Sequence, residues 1–227
     1  MKLNLDLAAH ERRVYSQNGE DGVIERLFEV IGTTNKFCVE FGVRDGEECN
    51  TRQLLLSLTG WAGLWFDGVS RPGIQREHFT TENVNLIFAT NAVPLAFDLL
   101  SIDIDGNDYW VFCALEFRPR VVVIEYNASV PPTESRTIAY DPAHRWDGSS
   151  DYYGASLLAL ERLGRRKGYT LVYCESRGVN AFFVETEIVE RLGLEVEPFE
   201  RLYRGVRPGD EHRHEGAKPW VEVEQDG

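Results

Sequence analysis

The sequence predicts an α/β fold: a mostly parallel, seven-stranded sheet with helices on both faces and an antiparallel hairpin at its C-terminal end. Three observations lead to this prediction. Short apolar runs alternate with segments whose apolar residues recur at helical spacing. Several runs are continuously apolar, as expected for parallel strands covered on both faces. Two late runs, 169–174 and 181–185, are joined by a turn-rich link that favours a hairpin.

The elements follow one another in a regular order along the chain. Asn18 is placed to cap a first helix that ends at Gly32. Periodicity and turn residues then predict strands at 36–41, 63–67, 84–89, 99–105 and 121–127, and helices at 54–58, 109–117, 154–167 and 188–192.

Length and composition indicate one domain spanning residues 1–227. The chain has 227 residues, of which 43% are hydrophobic, enough for a single sizeable core. Within this domain we expect residues 1–35 to form an N-terminal helical cap. Residues 128–153, rich in Pro, Ser, Asp and aromatic residues, are expected to form a substrate or lid loop. Residues 195–227 are expected to form an acidic C-terminal extension, which is also the candidate contact of a homodimer.

The charge balance and the distribution of apolar residues argue against nucleic-acid and membrane partners. There are 24 basic and 37 acidic residues, and the resulting net charge of −13 repels nucleic-acid phosphates. The sequence contains no apolar run of about 18 residues or more, so no membrane partner is expected. No secretion signal is recognisable, and the cytoplasm is the expected location.

A glycine-containing turn follows the first predicted strand. Gly42 and Gly46 lie between this strand and the next helix, where open α/β sheets bind cofactors. Their Gly-x-x-x-Gly spacing differs from the Gly-x-Gly-x-x-Gly that seats a dinucleotide pyrophosphate, so a nicotinamide-dependent oxidoreductase is disfavoured. Asp67 ends the next strand, 21 residues beyond Gly46, where a carboxylate can accept hydrogen bonds from both hydroxyls of a ribose.

Five segments extend this pattern into a family resemblance, namely 15–21, 39–46, 60–67, 101–106 and 180–184. With them the chain resembles the FkbM-type and related small-molecule O-methyltransferases of the class I S-adenosylmethionine-dependent methyltransferase superfamily, whose sheet is Rossmann-like. The resemblance covers roughly residues 14–186.

The resemblance implies S-adenosylmethionine as cofactor and a role for each matching position. Glu40, Gly42 and Gly46 would face the methionine part of the cofactor, and Asp67 the ribose. Asn91, at the end of the predicted third strand, would lie beside the adenine. Asp103 or Asp105 would lie beside the sulfonium, as catalytic or cofactor-binding residues.

Several oxygen ligands are predicted at the tips of the fourth and fifth strands. The hard oxygen donors there, which suit Mg2+, are Asp103, Asp105, Asp108, Glu125 and Asn127. Metal-dependent catechol-like methyltransferases resemble this in using two acids and an Asn. A magnesium ion there would acidify a substrate hydroxyl. Alternatively, the acids cap the following helix and order the cofactor's amine by charge.

Candidates for a general base and for an acceptor pocket lie in the long loop and at the end of the strand before it. His144 lies where it would act as base when the loop covers the substrate. The aromatic residues that would line an acceptor pocket or pack beneath a lid are Tyr126, Tyr140, Trp146, Tyr152 and Tyr153.

The function predicted from these features is methyl transfer from S-adenosylmethionine to a hydroxyl of a small molecule, such as a sugar or secondary metabolite. Two alternatives stay open. The same cofactor would also serve a non-methylating transferase or cyclase, and the fold would also serve a non-enzymatic adenosyl-binding module.

Overall fold

Most of the strands belong to one central sheet. The computed structural model describes residues 3–207, 209 and 218–224. Its strands are β1 (Leu3–Asn4), β2 (Phe37–Phe41), β3 (Ala62–Asp67), β4 (Gln75–Arg76), β5 (Ala96–Ile102), β6 (Arg118–Glu125), β7 (Arg136–Ile138), β8 (Tyr169–Cys174), β9 (Asn180–Glu185), β10 (Leu194–Glu195) and β11 (Trp220–Glu222).

The helices alternate with the strands. They are α1 (Glu20–Ile31), α2 (Arg52–Leu56), α3 (Val84–Thr90), α4 (Asp108–Ala114), α5 (Leu157–Arg166), α6 (Thr186–Leu192) and α7 (Phe199–Leu202), with a 3-10 turn at Leu7–His10. None of the helices in the described part of the chain has the length and apolar character needed to cross a membrane.

The central sheet has the strand order β4-β3-β2-β5-β6-β9-β8. The pairs from β4 to β6 are parallel, and β9 pairs antiparallel with both β6 and β8. This confirms the predicted fold class. The order reverses direction between β2 and β5, and in open α/β sheets the crevice at such a switch point is where ligands bind. The carboxyl ends of these two strands, Phe41 and Ile102, are register partners.

Two hydrophobic cores cover the two faces of the sheet. Alternate residues of β5 and β6 point to opposite faces, so Leu99 and Val121 belong to one core while Leu100 and Val122 belong to the other. Helices α1 and α6 pack on the first face, and α3, α4 and α5 pack on the second. Because both faces are covered, apolar residues occupy consecutive positions in these strands, as at 121–124 of β6, which explains the continuous runs in the sequence.

The predicted third strand is wrong. Residues 84–89 form helix α3, in which Val84, Ile87 and Phe88 are buried at helical spacing. A short apolar run does not by itself distinguish a strand from a buried helix. The strand at this position in the sheet is β4, whose two residues are polar and exposed.

The predicted role of Asn91 fails with that strand. Asn91 is the C-terminal cap of α3, and its side-chain amide donates to the carbonyl of Ile87. The helix runs back towards the start of β5, so this position lies at the amino edge of the sheet, away from the switch-point crevice.

The predicted loop and C-terminal extension contain pairing that the sequence did not indicate. Residues 136–138, inside the 128–153 segment, form β7 and pair antiparallel with β11. Val223 is buried beside this pair. The extension therefore packs on the loop where it is described, while residues 210–217 and 225–227 of it lie outside the described residues.

A buried ion pair holds the amino edge of the sheet together. Asp98 of β5 is fully buried and accepts hydrogen bonds from the backbone of Thr34, Asn35 and Lys36. Arg120 of β6 donates to the same carboxylate over 2.7 Å. Burial raises the pKa of Asp98, but the hydrogen bonds from Arg120 and the backbone outweigh it, and the pKa is lowered.

We expect Asp98→Asn to lower the free energy of unfolding by about 3–5 kcal/mol, because Arg120 would keep its buried charge without a partner. Chemical denaturation measures this. Glu29→Gln is the matched control, since it breaks an exposed pair with Arg26 that is worth about 0.5 kcal/mol.

The same Asp98→Asn variant tests the pH dependence. Because the pKa of Asp98 is lower in the folded than in the unfolded protein, its ionised form stabilises the fold above the ordinary carboxyl pKa, and this stabilisation is lost on acidification. The difference between wild type and Asp98→Asn should therefore shrink below about pH 4; a difference that is constant with pH would contradict the role given to this carboxylate.

Candidate functional site

Most buried carboxylates in this protein hold a loop by accepting backbone N–H groups. Asp21 binds the amides of residues 14–16, and Asp108 binds those of Ile104 and Gly106. The same arrangement occurs at Glu20, Glu40, Asp98 and Glu175, each of which accepts from at least two backbone amides. We call these six acids the loop-clamping carboxylates. Their hydrogen bonds compensate the cost of burying the charge.

The N-terminus of α1 shows how the clamps replace a conventional cap. Asn18 was predicted to cap this helix, but the N-cap residue is Gly19, with no side-chain cap. Glu20 instead accepts from the backbone of Asn18 and Gly19, and its other oxygen accepts from the Asn180 amide. The 14–19 loop is thereby fixed beside the turn that precedes β9.

The glycine turn after β2 lies against the end of β5. Gly42 has φ +86°, and a Cβ there would lie 1.3 Å from the carbonyl oxygen of Asp103. Only glycine therefore permits the two strand ends to approach this closely. Gly46 also has a positive φ, +80°, but a Cβ there would meet the Ile74 side chain at 3.3 Å, which is a milder contact.

Glu40 supports this turn from behind. Its two oxygens accept from the backbone of Asn50 and Thr51 and from the Thr51 hydroxyl. Burial raises the pKa of Glu40, and these hydrogen bonds oppose the rise. The resemblance implied contact with a cofactor; the structure shows a carboxylate whose oxygens are occupied by the start of α2.

Asp67 ends β3 at the same edge of the sheet. One oxygen accepts from the amide of Arg44 over 2.8 Å, and the other accepts from the amide of Val69 over 2.9 Å. The side chain is only half buried and lines a cavity, so lone pairs are left for a ligand. Asp67 thus connects the glycine turn to the loop after β3.

A cleft with two connected parts lies along these strand ends, and we call it the acidic cleft. The first part has a volume of about 270 Å³ and is lined by Gln17, Gly42, Val43, Arg44, Asp45, Glu47, Glu48 and Asp103. The second part has a volume of about 150 Å³ and runs past Asp67, Gly68, Glu77, His78 and Phe79 to Asp105 and His144. Gly42, Arg44 and Asp103 line both parts, so a single elongated ligand can occupy them.

Three carboxylates at the centre of this region differ from the loop clamps. Asp103, Asp105 and Glu125 each offer an oxygen within 4.8 Å of the others, and we call them the carboxylate cluster. In the described chain no hydrogen bond reaches the side chain of Asp103 or Glu125, and the buried Oε2 of Glu125 has no partner. Burial and mutual repulsion raise the pKa of Asp103 and of Glu125, and burial raises that of Asp105. The cluster is therefore short of positive charge.

Arg44 is the nearest cation to the cluster. Its guanidinium lies 3.7 Å from an oxygen of Asp105. Both residues have left-handed backbone, with φ +51° for Arg44 and +54° for Asp105. Non-glycine residues in this region cost of order 1–3 kcal/mol each and concentrate at functional sites. Arg44 stands between the two glycines of the turn, and the glycine pattern predicts no role for it.

His144, the candidate general base, lines the cleft from the long loop. Its ring packs on Gly106, where a Cβ would lie 2.5 Å from the His144 Cδ2, and it lines the cleft with Asp103 and Asp105. Its Nε2 is buried without a partner, and burial lowers its pKa. The ring is therefore neutral near pH 7 and can accept a proton.

The remaining predicted residues are engaged elsewhere. The amide of Asn127 donates to the carbonyls of Asp151 and Tyr153 and accepts from the amide of Ser129, so it braces the loop. The hydroxyl of Tyr126 donates to the carbonyl of Arg204, and that of Tyr140 donates to Glu82. Of the five predicted aromatic residues, Tyr153 lines a pocket, which is described below.

No protein-family model matches this chain, and no curated protein matches it. Among solved structures the chain is similar to the N-terminal domain of EvdMO1, determined in the presence of SAH (S-adenosylhomocysteine) and D-fucose and also with SAH bound. The first comparison has 12% identity and a TM-score of 0.43 over 73% of this chain and 81% of that chain. The second has 12% identity and a TM-score of 0.45 over 75% and 81%.

We expect Gly42→Ala to destabilise the fold by about 4 kcal/mol or more, because the new Cβ collides with backbone. Gly73→Ala is the matched control: Gly73 also has a positive φ, +79°, but no atom lies within 4 Å of its Cβ position. The control isolates the cost of the backbone conformation, about 1–2 kcal/mol. Thermal and chemical unfolding of both variants give the difference. Equal stabilities of the two variants would show that β2 and β5 do not approach as closely as described.

Proposed function

We propose that this protein is an S-adenosylmethionine-dependent methyltransferase that methylates a hydroxyl of a small molecule. One observation carries the proposal: at the switch point of the sheet the acidic cleft joins Asp67, a half-buried carboxylate with lone pairs left for a ligand, to a cluster of three carboxylates that has one neighbouring cation, Arg44. This arrangement suits an elongated ligand with a diol at one end and positive charge near its middle.

The charge of the cleft selects among the cofactors that α/β sheets bind. Its first part is lined by four acids, Asp45, Glu47, Glu48 and Asp103, against the single cation Arg44. Pyrophosphate groups of dinucleotides or nucleoside triphosphates would be repelled there. S-adenosylmethionine carries a sulfonium and an ammonium group, and both gain from buried carboxylates in a low-dielectric cleft.

We infer the orientation of the cofactor from these groups. The ribose hydroxyls donate to Asp67, whose oxygens are only partly used by the backbone. The adenine then extends along Gly68 and Phe79, and the methionine part extends along the turn from Gly42 to Glu48. The sulfonium lies near Asp103, at the junction of the two parts.

The transfer itself requires positioning and removal of one proton. The acceptor oxygen attacks the methyl carbon as the carbon–sulfur bond breaks, giving a methyl ether and S-adenosylhomocysteine. The hydroxyl proton passes to the Nε2 of His144, which is neutral and unpartnered at the edge of the cleft. Asp103 and Asp105 hold the cationic methyl donor in line with the acceptor oxygen, and their contribution to the reaction is this positioning.

The carboxylate cluster also fits a divalent cation. Asp103, Asp105 and Glu125 present three oxygen ligands within 4.8 Å of one another, and Glu125 has a buried oxygen without a partner. Mg2+ prefers such hard ligands. When bound, the ion would acidify the acceptor hydroxyl. Asn127, predicted as a fourth ligand, is occupied by the loop backbone.

We expect the wild-type protein to bind S-adenosylmethionine in isothermal titration calorimetry and Asp67→Asn to bind it at least tenfold more weakly. Loss of the charge removes strong acceptors of the ribose hydroxyls, and a charged hydrogen bond is worth about 1.5–3 kcal/mol. Glu190→Gln, an exposed change of the same charge on α6, should bind as wild type does. Absence of binding by the wild type would overturn the proposal. Binding without methyl transfer in an acceptor screen would favour the non-methylating alternatives.

Substitution of Glu125 tests the metal separately. Calorimetric titration with Mg2+ should show binding to the wild type and binding at least tenfold weaker to Glu125→Gln. Without metal, Glu125→Gln should raise the melting temperature, because it removes a buried charge that has no partner. Equal Mg2+ binding by both proteins, or none by either, would exclude this cluster as the metal site.

A further inference from the structure

We propose that a second pocket, beside the acidic cleft, holds the methyl acceptor and that the acceptor carries an anionic group, a phosphate or a carboxylate. We call it the arginine pocket. It has a volume of about 290 Å³ and is lined by Gln17, Asn18, Ala128, Tyr153, Arg177, Gly178, Val179, Val206 and Arg207. The inference rests on the proposed function and names the substrate class of the same site.

The charge of the arginine pocket is opposite to that of the cleft. Two of its lining residues, Arg177 and Arg207, are cations, and no acid is among the described residues that line it. The chain as a whole has a net charge of −13, which repels anions from most of its surface. A pocket whose described lining contains two arginines and no acid is therefore a selective place for an anion to bind. Guanidinium groups match phosphates and carboxylates through paired hydrogen bonds.

The turn that carries Arg177 is rigidly held. The fully buried carboxylate of Glu175 accepts from the amides of Arg177 and Val179, each over 2.5 Å. Gly178 follows with φ +80°, and a Cβ there would lie 3.0 Å from the carbonyl oxygen of Arg204. The position of Arg177 is thus fixed by a buried clamp and by close packing.

The segment that carries Arg207 is held against the same turn. The hydroxyl of Tyr126 donates to the carbonyl of Arg204 over 2.7 Å, and the hydroxyl of Tyr203 contacts the carbonyls of Ala128 and Val130. Arg207 donates one hydrogen bond, of 3.0 Å, to the carbonyl of Ser176. A guanidinium has five N–H groups, so this bond orients the side chain and leaves donors for a ligand.

The arginine pocket adjoins the place where we locate the sulfonium. Gln17 lines both the pocket and the first part of the acidic cleft. Tyr153 lines the pocket, and its pKa is raised by burial and by the nearby charges of Glu125 and Asp103. Glu125 is the register partner of Asn180, which follows directly after the turn of Arg177. The carboxylate cluster therefore lies between the two cavities.

This arrangement orients an acceptor relative to the methyl donor. An anionic group held by Arg177 and Arg207 leaves the rest of the molecule pointing past Tyr153 towards the cluster. A hydroxyl of the acceptor then meets the methyl group of the cofactor there, and its proton leaves as described above. The pocket volume suits a molecule of about monosaccharide size, at the lower end of the range for small-ligand sites.

The test compares three probes of one size, glucose 1-phosphate, glucuronic acid and glucose, titrated into the full chain with and without S-adenosylhomocysteine. We expect at least one anionic probe to bind tenfold or more tightly than glucose, equivalent to about 1.4 kcal/mol. Arg177→Gln and Arg207→Gln should each remove that preference and leave S-adenosylhomocysteine binding unchanged. Arg191→Gln, an exposed change of the same charge at the end of α6, should keep the preference.

The two anionic probes distinguish a phosphate from a carboxylate as the group recognised. If the protein binds S-adenosylhomocysteine but binds the anionic probes no better than glucose, or if the preference survives both Arg177→Gln and Arg207→Gln, the inference is overturned while the proposed function stands. If the wild type fails to bind S-adenosylhomocysteine, the proposed function fails, whatever the probes show.

Discussion

The structure depends on one constraint: a buried carboxylate must find hydrogen-bond donors, and in this chain the donors are backbone amides of loops. Glu40 holds the start of α2 beneath the glycine turn, Asp98 holds the loop before β2, and Glu175 holds the turn before β9. Each clamp fixes a connection that has little apolar surface to bury. The sheet supplies the scaffold, and these acids determine where its loops lie.

The same constraint identifies the carboxylates that are not structural. Glu125 is buried like the clamps and Asp103 is partly buried, yet within the described residues no donor reaches the side chain of either. Their charge is left to be compensated by a ligand, and the left-handed backbone of Arg44 and Asp105 on the same side adds local strain. Compensation by a sulfonium, an ammonium group or Mg2+ would relieve both the repulsion within the cluster and the cost of its burial. The uncompensated cluster thus lowers the stability of the fold and favours the binding of a cation at the point where the strand order reverses.

The two cavities have opposite charges, and this difference determines which ligand each of them favours. In the function we propose, the acidic cleft binds the cationic donor and the arginine pocket binds an anionic acceptor, with the carboxylate cluster between them. A cation and an anion bound side by side also attract each other, which helps to bring the reacting groups together. Gln17 lines both cavities, and Tyr153 of the arginine pocket lies near the charges of Glu125 and Asp103.

Local sequence patterns correctly predict most strands of the sheet and most helices, because an apolar run and the turns that bound it are properties of adjacent residues. The run at 84–89 failed because its apolar residues satisfy both periods, and β4 was missed because two polar residues carry no signal. In the site, Gly42 and Asp67 were recognisable from their places after strands. The clamping role of Glu40 and the engagement of Asn127 were not, since both depend on loops that fold back from elsewhere. The arginine pocket joins residues from five separate places in the chain, so no local pattern predicts it.

A crystal structure of the protein soaked with S-adenosylhomocysteine tests the central claim most directly. The account predicts the ligand along the acidic cleft, with ribose hydroxyls on Asp67, the amino-acid part along the turn after Gly42, and the sulfur beside Asp103. Electron density for the ligand in any other place, or an unchanged cleft at saturating ligand, would contradict the assignment of this site.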